Sequence, residues 1–279
     1  MVSAIRHPFA LALLAILAWP PTALAEMSTQ APDPAPSQTV DAPIPPHSTE
    51  YLLTRDGLPF GVMTLELVIT PEGAYRYLAR TEPHAAMALV SQALDLGADP
   101  SQVEESVGQV VGKRFRPDAY RFRRKGGDAD RALDLTFDWA QGRALMDSEG
   151  KPWSMPIPAE TQDKLSVLLA LRLDLEQAED QPGSEHLYKV ADGGRLKDYR
   201  FRVLGREALP GPDGDRDTLA VERTKDEHEP DYRLWLDPAR RLLPVRVERE
   251  EGGSLYVMQL VRVDHSEDAG GTTGLPPAP

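Results

Sequence analysis

Apolar and polar positions alternate in short runs along most of this chain. In "MTLELVIT" Leu65, Leu67 and Ile69 share one face, and after the turn Pro71-Glu72-Gly73 the pattern resumes with Tyr75 and Tyr77 in "AYRYLART". "LDLTFDW" sets Leu133, Leu135, Phe137 and Trp139 against Asp134, Thr136 and Asp138. "DYRFRVLG" sets Tyr199, Phe201 and Val203 against Arg200 and Arg202, and "YRLWLD", "LPVRVERE" and "LYVMQLVRV" follow. A period of two gives each segment one packed face and one wet face, as in antiparallel strands. Turn signals bound the runs: Gln141-Gly142, Asp192-Gly193-Gly194, Pro212-Asp213-Gly214, Asp237-Pro238 and Gly252-Gly253. Connections this short make hairpins. The pattern predicts a mostly β fold: a curled antiparallel sheet, half-barrel or sandwich-like, with one or two short helices packed on its concave side.

Two segments depart from the alternation. "HAAMALVSQALDL", residues 84–96, is rich in Ala, Leu and Met, ends at Gly97, and predicts a short helix. "DKLSVLLALRLDL", residues 163–175, is the most apolar run after residue 25. Leu165, Val167, Leu169, Leu171, Leu173 and Leu175 alternate as a strand would. Its composition favours a helix, with five Leu and one Ala between 165 and 173 and Val167 as the lone β-branched residue. Asp163 can serve as N-cap, and Pro152, Pro156 and Pro158 lie upstream. Only Lys164, Ser166, Arg172 and Asp174 break its apolar surface. A helix apolar nearly all round belongs in the interior, where it would cover or plug the opening of the sheet.

Composition and charge set the compartment. Residues 1–25 read as a secretory signal peptide: Arg6 and His7, an apolar stretch of 11 residues from Phe9 to Trp19, and Ala23-Leu24-Ala25 before a cleavage point between Ala25 and Glu26. That stretch is too short for a spanning helix, which needs about 20 residues. No Cys follows it, so a lipobox attachment is excluded and no stable membrane span is expected once the leader is removed. Without residues 1–25, which hold Arg6 and no acid, 30 basic residues face 44 acidic ones, a net charge of −14. That balance opposes binding to nucleic acid. The expected location is the periplasm. Residues 26–48 carry six prolines and read as a disordered linker, residues 50–265 as a single β-rich domain, and residues 266–279 as a disordered tail.

The candidate chemistries thin out quickly. The chain has no Cys, which removes disulfides, thiolate zinc sites, thiol nucleophiles and iron–sulfur clusters. Its six His show no metal-ligand spacing, and neither metal nor cofactor is expected. "KDEHEPD", residues 225–231, reads as a solvated loop, and "PDGDRD", residues 212–217, lacks the Gly and bidentate Glu of a calcium loop. G-x-S-x-G and H-E-x-x-H are absent. Arg76, Arg80, Arg121, Arg123, Arg200, Arg202, Arg233 and Arg246 lie on polar strand faces, where acids such as Glu66, Asp134, Asp138 and Glu248 offer cross-strand pairs. Trp139, Trp153 and Trp235 read first as core residues.

Five stretches together resemble an exported bacterial family, domain of unknown function family 3108. They are "YLLTRDGLPFGVMTLEL", "FRPDAYRF", "QDKLSVLLALRLDL", "DGGRLKDYRFRVLGRE" and "YRLWLDPARRLLPVRVE", and the match runs from about Tyr51 to Val263. The family's helix-opening Asp-Pro-x-Ser becomes Asp163-Lys164-Leu165-Ser166 here, without the Pro, which is only one acceptable first helical residue. Trp235, Leu243, Pro244 and Val245 keep another of its pieces. The resemblance implies export and a β-rich domain, and no activity. By fold-level analogy with periplasmic lipoprotein carriers, a half-barrel could close over an apolar cavity. The first expectation is therefore non-enzymatic binding of a hydrophobic small molecule or lipid, with Leu165, Leu168, Leu169, Trp139 and Trp235 lining the cavity. An envelope structural or interaction protein with a filled core, acting on another envelope protein, is the alternative. A carboxylate-dependent hydrolase ranks third.

Overall fold

The computed structural model describes residues 41–84, 101–126, 130–148, 150–178, 181–211, 214–224 and 232–265. They form strands β1 (His47–Arg55), β2 (Leu58–Ile69), β3 (Ala74–Pro83), β4 (Ser101–Val111), β5 (Arg114–Lys125), β6 (Arg131–Asp138), β7 (Arg143–Ser148) and β8 (Lys151–Pro156). Helix α1 (Ser166–Gln177) follows, then β9 (Glu185–Asp192), β10 (Arg195–Leu209), β11 (Arg216–Thr224), β12 (Tyr232–Asp237), a 3-10 turn (Pro238–Arg240), β13 (Leu243–Glu251) and β14 (Ser254–His265). Fourteen strands make one antiparallel sheet in the order β8 to β1, then β14 to β9. Two meanders thus meet at the β1–β14 pair, and α1 connects their outer edges. Among the described residues no helix is long and apolar enough to cross a membrane.

The sheet is one surface, not the two layers of a sandwich, and it curls. Laid flat, β1 and β8 would stand roughly 34 Å apart at the usual strand spacing. Yet Tyr51 of β1 and Met155 of β8 belong to the same buried cluster as Leu165, the residue before α1, and Leu169 and Leu173 within it. The curl nearly closes. Beyond β8, Gln162 bridges to Val190 of β9 in parallel, its N–H donating to the Lys189 carbonyl at 2.8 Å and its carbonyl accepting from Ala191 N–H at 2.8 Å.

Helix α1 lies inside. Leu165, Leu169 and Leu173, spaced four apart, face the cluster built by β1–β8 with Ala191 of β9. Val167, Ala170, Leu171 and Leu175 face the opposite cluster, with Tyr188, Val190, Phe201, Val203, Leu219, Val221, Leu234 and Leu236 from β9–β12. A helix flanked on both sides needs apolar residues all round. The strand alternations read from sequence sit on these same inner faces, Leu133, Leu135, Phe137 and Trp139 in the first cluster and Tyr199, Phe201 and Val203 in the second.

Several boundaries differ from the sequence reading. The folded domain includes residues before 50: Ile44 is fully buried and His47 already opens β1 as a buried side chain, so the end of the Pro-rich stretch belongs to the fold. Residues 85–96 of the first expected helix lie outside the described residues, as does the acidic run 225–231.

The curl also depends on a bulge between Val107 and Gly108 in the β4–β5 pair. A Cβ at Gly108 would meet the Arg116 carbonyl oxygen at 2.1 Å and Pro117 Cα at 2.8 Å, both backbone atoms that cannot step aside. Gly108→Ala is therefore expected to lower the free energy of urea unfolding by about 2 kcal/mol or more. Leu169→Ala, which removes a fully buried side chain, should cost about 2–5 kcal/mol. Leu187→Ala, at a side chain 54% exposed, should stay within about 0.5 kcal/mol of wild type. Equal effects for the two leucines would refute an interior α1.

Candidate functional site

The first turn of α1 organises one end of the curled sheet. Asp163 Oδ1 accepts from Leu165 N–H and Ser166 N–H, both at 2.8 Å, while Ser166 Oγ accepts from Asp163 N–H at 2.9 Å. This is a capping box with Ser in the reciprocal position, made by the Asp and Ser of the sequence motif. Asp163 is fully buried, and its Oδ2 accepts from Ser106 Oγ of β4 at 2.6 Å. Ser106 in turn lies 3.0 Å from the Tyr75 hydroxyl. The cap thereby ties the helix start to β3 and β4. Burial pushes the Asp163 carboxyl up to about 6, against hydrogen bonds from Ser106, Ser166 and Leu165 that favour its ionised form.

Above this cap lies a pocket of about 330 Å³. Phe122, Leu133, Leu135, Met146 and Met155 supply its apolar wall from β5–β8, and Ala191, Asp192, Gly193 and Gly194 close it from the β9–β10 hairpin. Gly193 and Gly194 have φ of 58° and 79°, the two left-handed residues a type I′ turn needs. A Cβ on Gly194 would approach Met146 Cε to 3.0 Å, so this turn sits directly on the pocket wall. The polar groups are Tyr120, Arg131, Lys164 and Asp192. Tyr120 donates its hydroxyl to Glu104, whose other oxygen accepts from Gln102 at 2.6 Å. Lys164 Nζ stands 3.8 Å from Glu104 and 5.9 Å from the Phe122 ring centre. Asp192 accepts from Lys197 at 2.8 Å and Tyr199 at 3.1 Å. Burial alone would raise its carboxyl, but the Lys197 hydrogen bond and the Lys164 and Lys197 charges hold it below the usual range.

The five residues expected to line a cavity do not form one site. Leu165 and Leu169 are buried in the first core cluster, and Trp139 packs against it, stacked on Phe137 at 5.3 Å with Nε1 donating to the Pro117 carbonyl. Leu168 is partly buried against the second cluster. Trp235 lies on the other face of the sheet with Ala220 and Val245, its Nε1 donating to Glu207 Oε2 between Arg233 and Arg246. None of the five is among the residues lining the pocket. Most of the pocket residues escaped the sequence reading because β5–β8 and the β9–β10 turn meet only through the curl. The one local signal was Lys164 itself, a lone cation between the capping Asp163 and a run of leucines.

Among the described residues, seven of the eight strand-face arginines, all but Arg80, have an acidic partner. Arg76 and Arg121 share Glu105 at 2.6 and 2.8 Å, Arg123 meets Asp134 at 2.7 Å, and Arg246 meets Glu248 at 2.7 Å. Glu105 is only 4% exposed, which makes this pair a structural feature of the β3–β5 face.

A single antiparallel sheet curled around a central helix, with a recess at the helix start, defines a β-barrel-like protein. The chain belongs to the family described as Protein of unknown function (DUF3108), whose model matches residues 50–261. Among solved structures it is similar to a beta-barrel-like protein of domain of unknown function DUF1849 from Brucella abortus, with 14% identity and a TM-score of 0.54, covering 80% of this chain and 99% of that one. It also matches a structure described as "putative lipoprotein" from Parabacteroides distasonis, with 9% identity and a TM-score of 0.28, covering 81% and 100%. No curated protein matches.

Asp163 gives the site a pH signature. Its folded value of about 6 lies above the unfolded value near 3.9, so the stability it contributes is fully present below about pH 4 and is lost as pH rises through 6. Asp163→Asn keeps an acceptor for the Leu165 and Ser166 amides without titrating. Between pH 4 and 7.5 the variant should gain about 3 kcal/mol on wild type in urea unfolding. Parallel stability curves would refute a buried, ionising Asp163.

Proposed function

We propose that this protein is exported to the periplasm and binds a hydrophobic small molecule or lipid without catalysing a reaction. The observation that carries the reading is the recess of about 330 Å³ with a thioether, aromatic and leucine wall at an end of the sheet. Its size sits at the lower edge of ligand pockets, about 300–1,000 Å³. The site differs from the cavity expected beneath the helix: α1 fills the interior, and the ligand lodges beyond its first turn. The leader-like residues 1–25 support export. A hydrolase is less well supported, because Glu104 and Asp192, the acids nearest the recess, are each engaged by two donors. The filled interior favours a second reading, an envelope protein that acts through its outer surface on a protein partner.

The two readings separate on one preparation. Protein recovered from the periplasm should begin at Glu26 and should carry a co-purifying apolar compound by native mass spectrometry and solvent extraction. Met146→Trp, which places an indole in the recess, should abolish that cargo while leaving the melting temperature within about 4 °C. Cargo-free wild type, or cargo that persists in Met146→Trp, would reject the recess as the binding site.

A further inference from the structure

We infer that the ligand of this recess is an anionic amphiphile, a single unbranched chain ending in a carboxylate or phosphate, with its headgroup on Lys164 and its chain against Phe122, Leu133, Leu135 and Met155. The inference rests on the binding function proposed above and adds the sign and place of the headgroup.

Lys164 is placed for this by the helix itself. It follows the capping Asp163, so the first turn carries its side chain to the pocket, where it is 39% exposed. Its ion pair with Glu104 is long, at 3.8 Å, and Glu104 already accepts from Tyr120 and Gln102. An ammonium has three donors, and Glu104 at that distance leaves capacity for a bound anion. The acid on the pocket wall, Asp192, is matched by Lys197 at 2.8 Å. The lining therefore sets Arg131 and Lys164 against Asp192, a locally positive surface in a chain of net charge −13.

The same end of the sheet carries further arginines, each over an aromatic ring. Tyr199, which holds Asp192, stacks under Arg223 at 4.5 Å, and Arg223 stacks on Tyr232 at 4.5 Å. Arg249 follows over Tyr232 at 5.3 Å and Arg55 over Tyr256 at 5.5 Å. In register, Arg223, Tyr232, Arg249, Tyr256 and Arg55 lie opposite one another across five neighbouring strands, so they share the inner face. Arg249 and Arg55 also meet acids, Glu251 at 2.8 Å and Asp56 at 3.8 Å. The row forms an arginine–tyrosine rim on the inner face beside the recess. A two-chain lipid has no room in about 330 Å³, which restricts the ligand to one chain.

Calorimetric titration of the full-length processed protein at pH 8 tests this with four probes: decanoate, decanol, decyltrimethylammonium and acetate. Decanoate should bind about tenfold tighter than decanol, and acetate and decyltrimethylammonium should bind far more weakly. Lys164→Gln should weaken decanoate about fivefold and leave decanol unchanged, and Lys164→Arg should restore decanoate. Arg131→Gln, remote from the helix cap, should act in the same direction. Decanol as tight as decanoate, a preference for the cationic chain, or acetate matching decanoate would overturn the anionic amphiphile and leave a pocket for some other ligand. Failure of all three decyl compounds on folded wild type would overturn the recess as a binding site, and this inference with it.

Discussion

The fold depends on a helix that is apolar on every side being held between the two halves of one sheet. Neither meander could bury its inner face alone. β1–β8 would expose Tyr51, Leu67, Tyr75, Phe115 and Phe137, and β9–β14 would expose Phe201, Leu219 and Leu236. Inserted between them, α1 supplies Leu169 and Leu173, with Leu165 just before it, to one and Val167, Leu171 and Leu175 to the other. The burial of two opposed stripes from twelve helical residues makes the sheet curl, and the curl brings β8 beside β9.

A helix in such a place must settle its polar groups internally, and each end does so differently. The start is closed by Asp163 and Ser166, linked outward to Ser106 and Tyr75. Near the other end Arg172, 3% exposed, donates to the Arg241 carbonyl at 3.0 Å and approaches His47 Nε2 at 3.5 Å. His47 Nδ1 donates to the Pro45 carbonyl. Arg241 also grips Glu176 of α1 at 2.6 Å and the Pro43 carbonyl at 2.8 Å. Arg241 and Leu242 both have positive φ, 52° and 54°, a conformation costly for residues with a Cβ. The contacts of Arg241, with Leu242 buried in the second cluster, offset that strain. Residues 43–47, the end of the Pro-rich stretch, are thus held in place by the polar groups of the helix and of Arg241.

What the sequence disclosed was local, and what it concealed was relational. Period-two alternation identified the inner faces of β2, β6 and β10, because a strand's burial pattern is written in its own residues. The helix was legible from its leucines and from Asp163, and its interior position from its lack of a polar face. That Trp235 turns away from the helix was masked by its size rather than by the pattern. Leu234 and Leu236 take the inner face of β12 with Tyr232, and Trp235 shares the opposite parity with Arg233 and Asp237, so a large aromatic stands on the polar side of the run, against the rule that places Trp in the core. The pocket was not legible, since Met146 and Gly194 are 48 positions apart and touch only in the curled sheet.

The position of the recess follows from lengths. β5 has twelve residues, about 40 Å of strand, or roughly 30 Å along the axis of a sheet tilted as barrels are. Helix α1 also has twelve residues and spans only about 18 Å. The interior is therefore longer than its plug, and roughly 12 Å must be filled by something else. At the helix C-terminus Leu242 and Ile44 fill it, both brought in by the Arg241 contacts. At the N-terminus one further helical turn would do the same, but the chain cannot supply it. Glu160 takes a positive φ of 66°, Pro158 lies just before it, and Asp163 fixes the first turn to Ser106 on β4. The capping bond that makes the helix possible also stops it short, and the space left beyond Lys164 is the pocket.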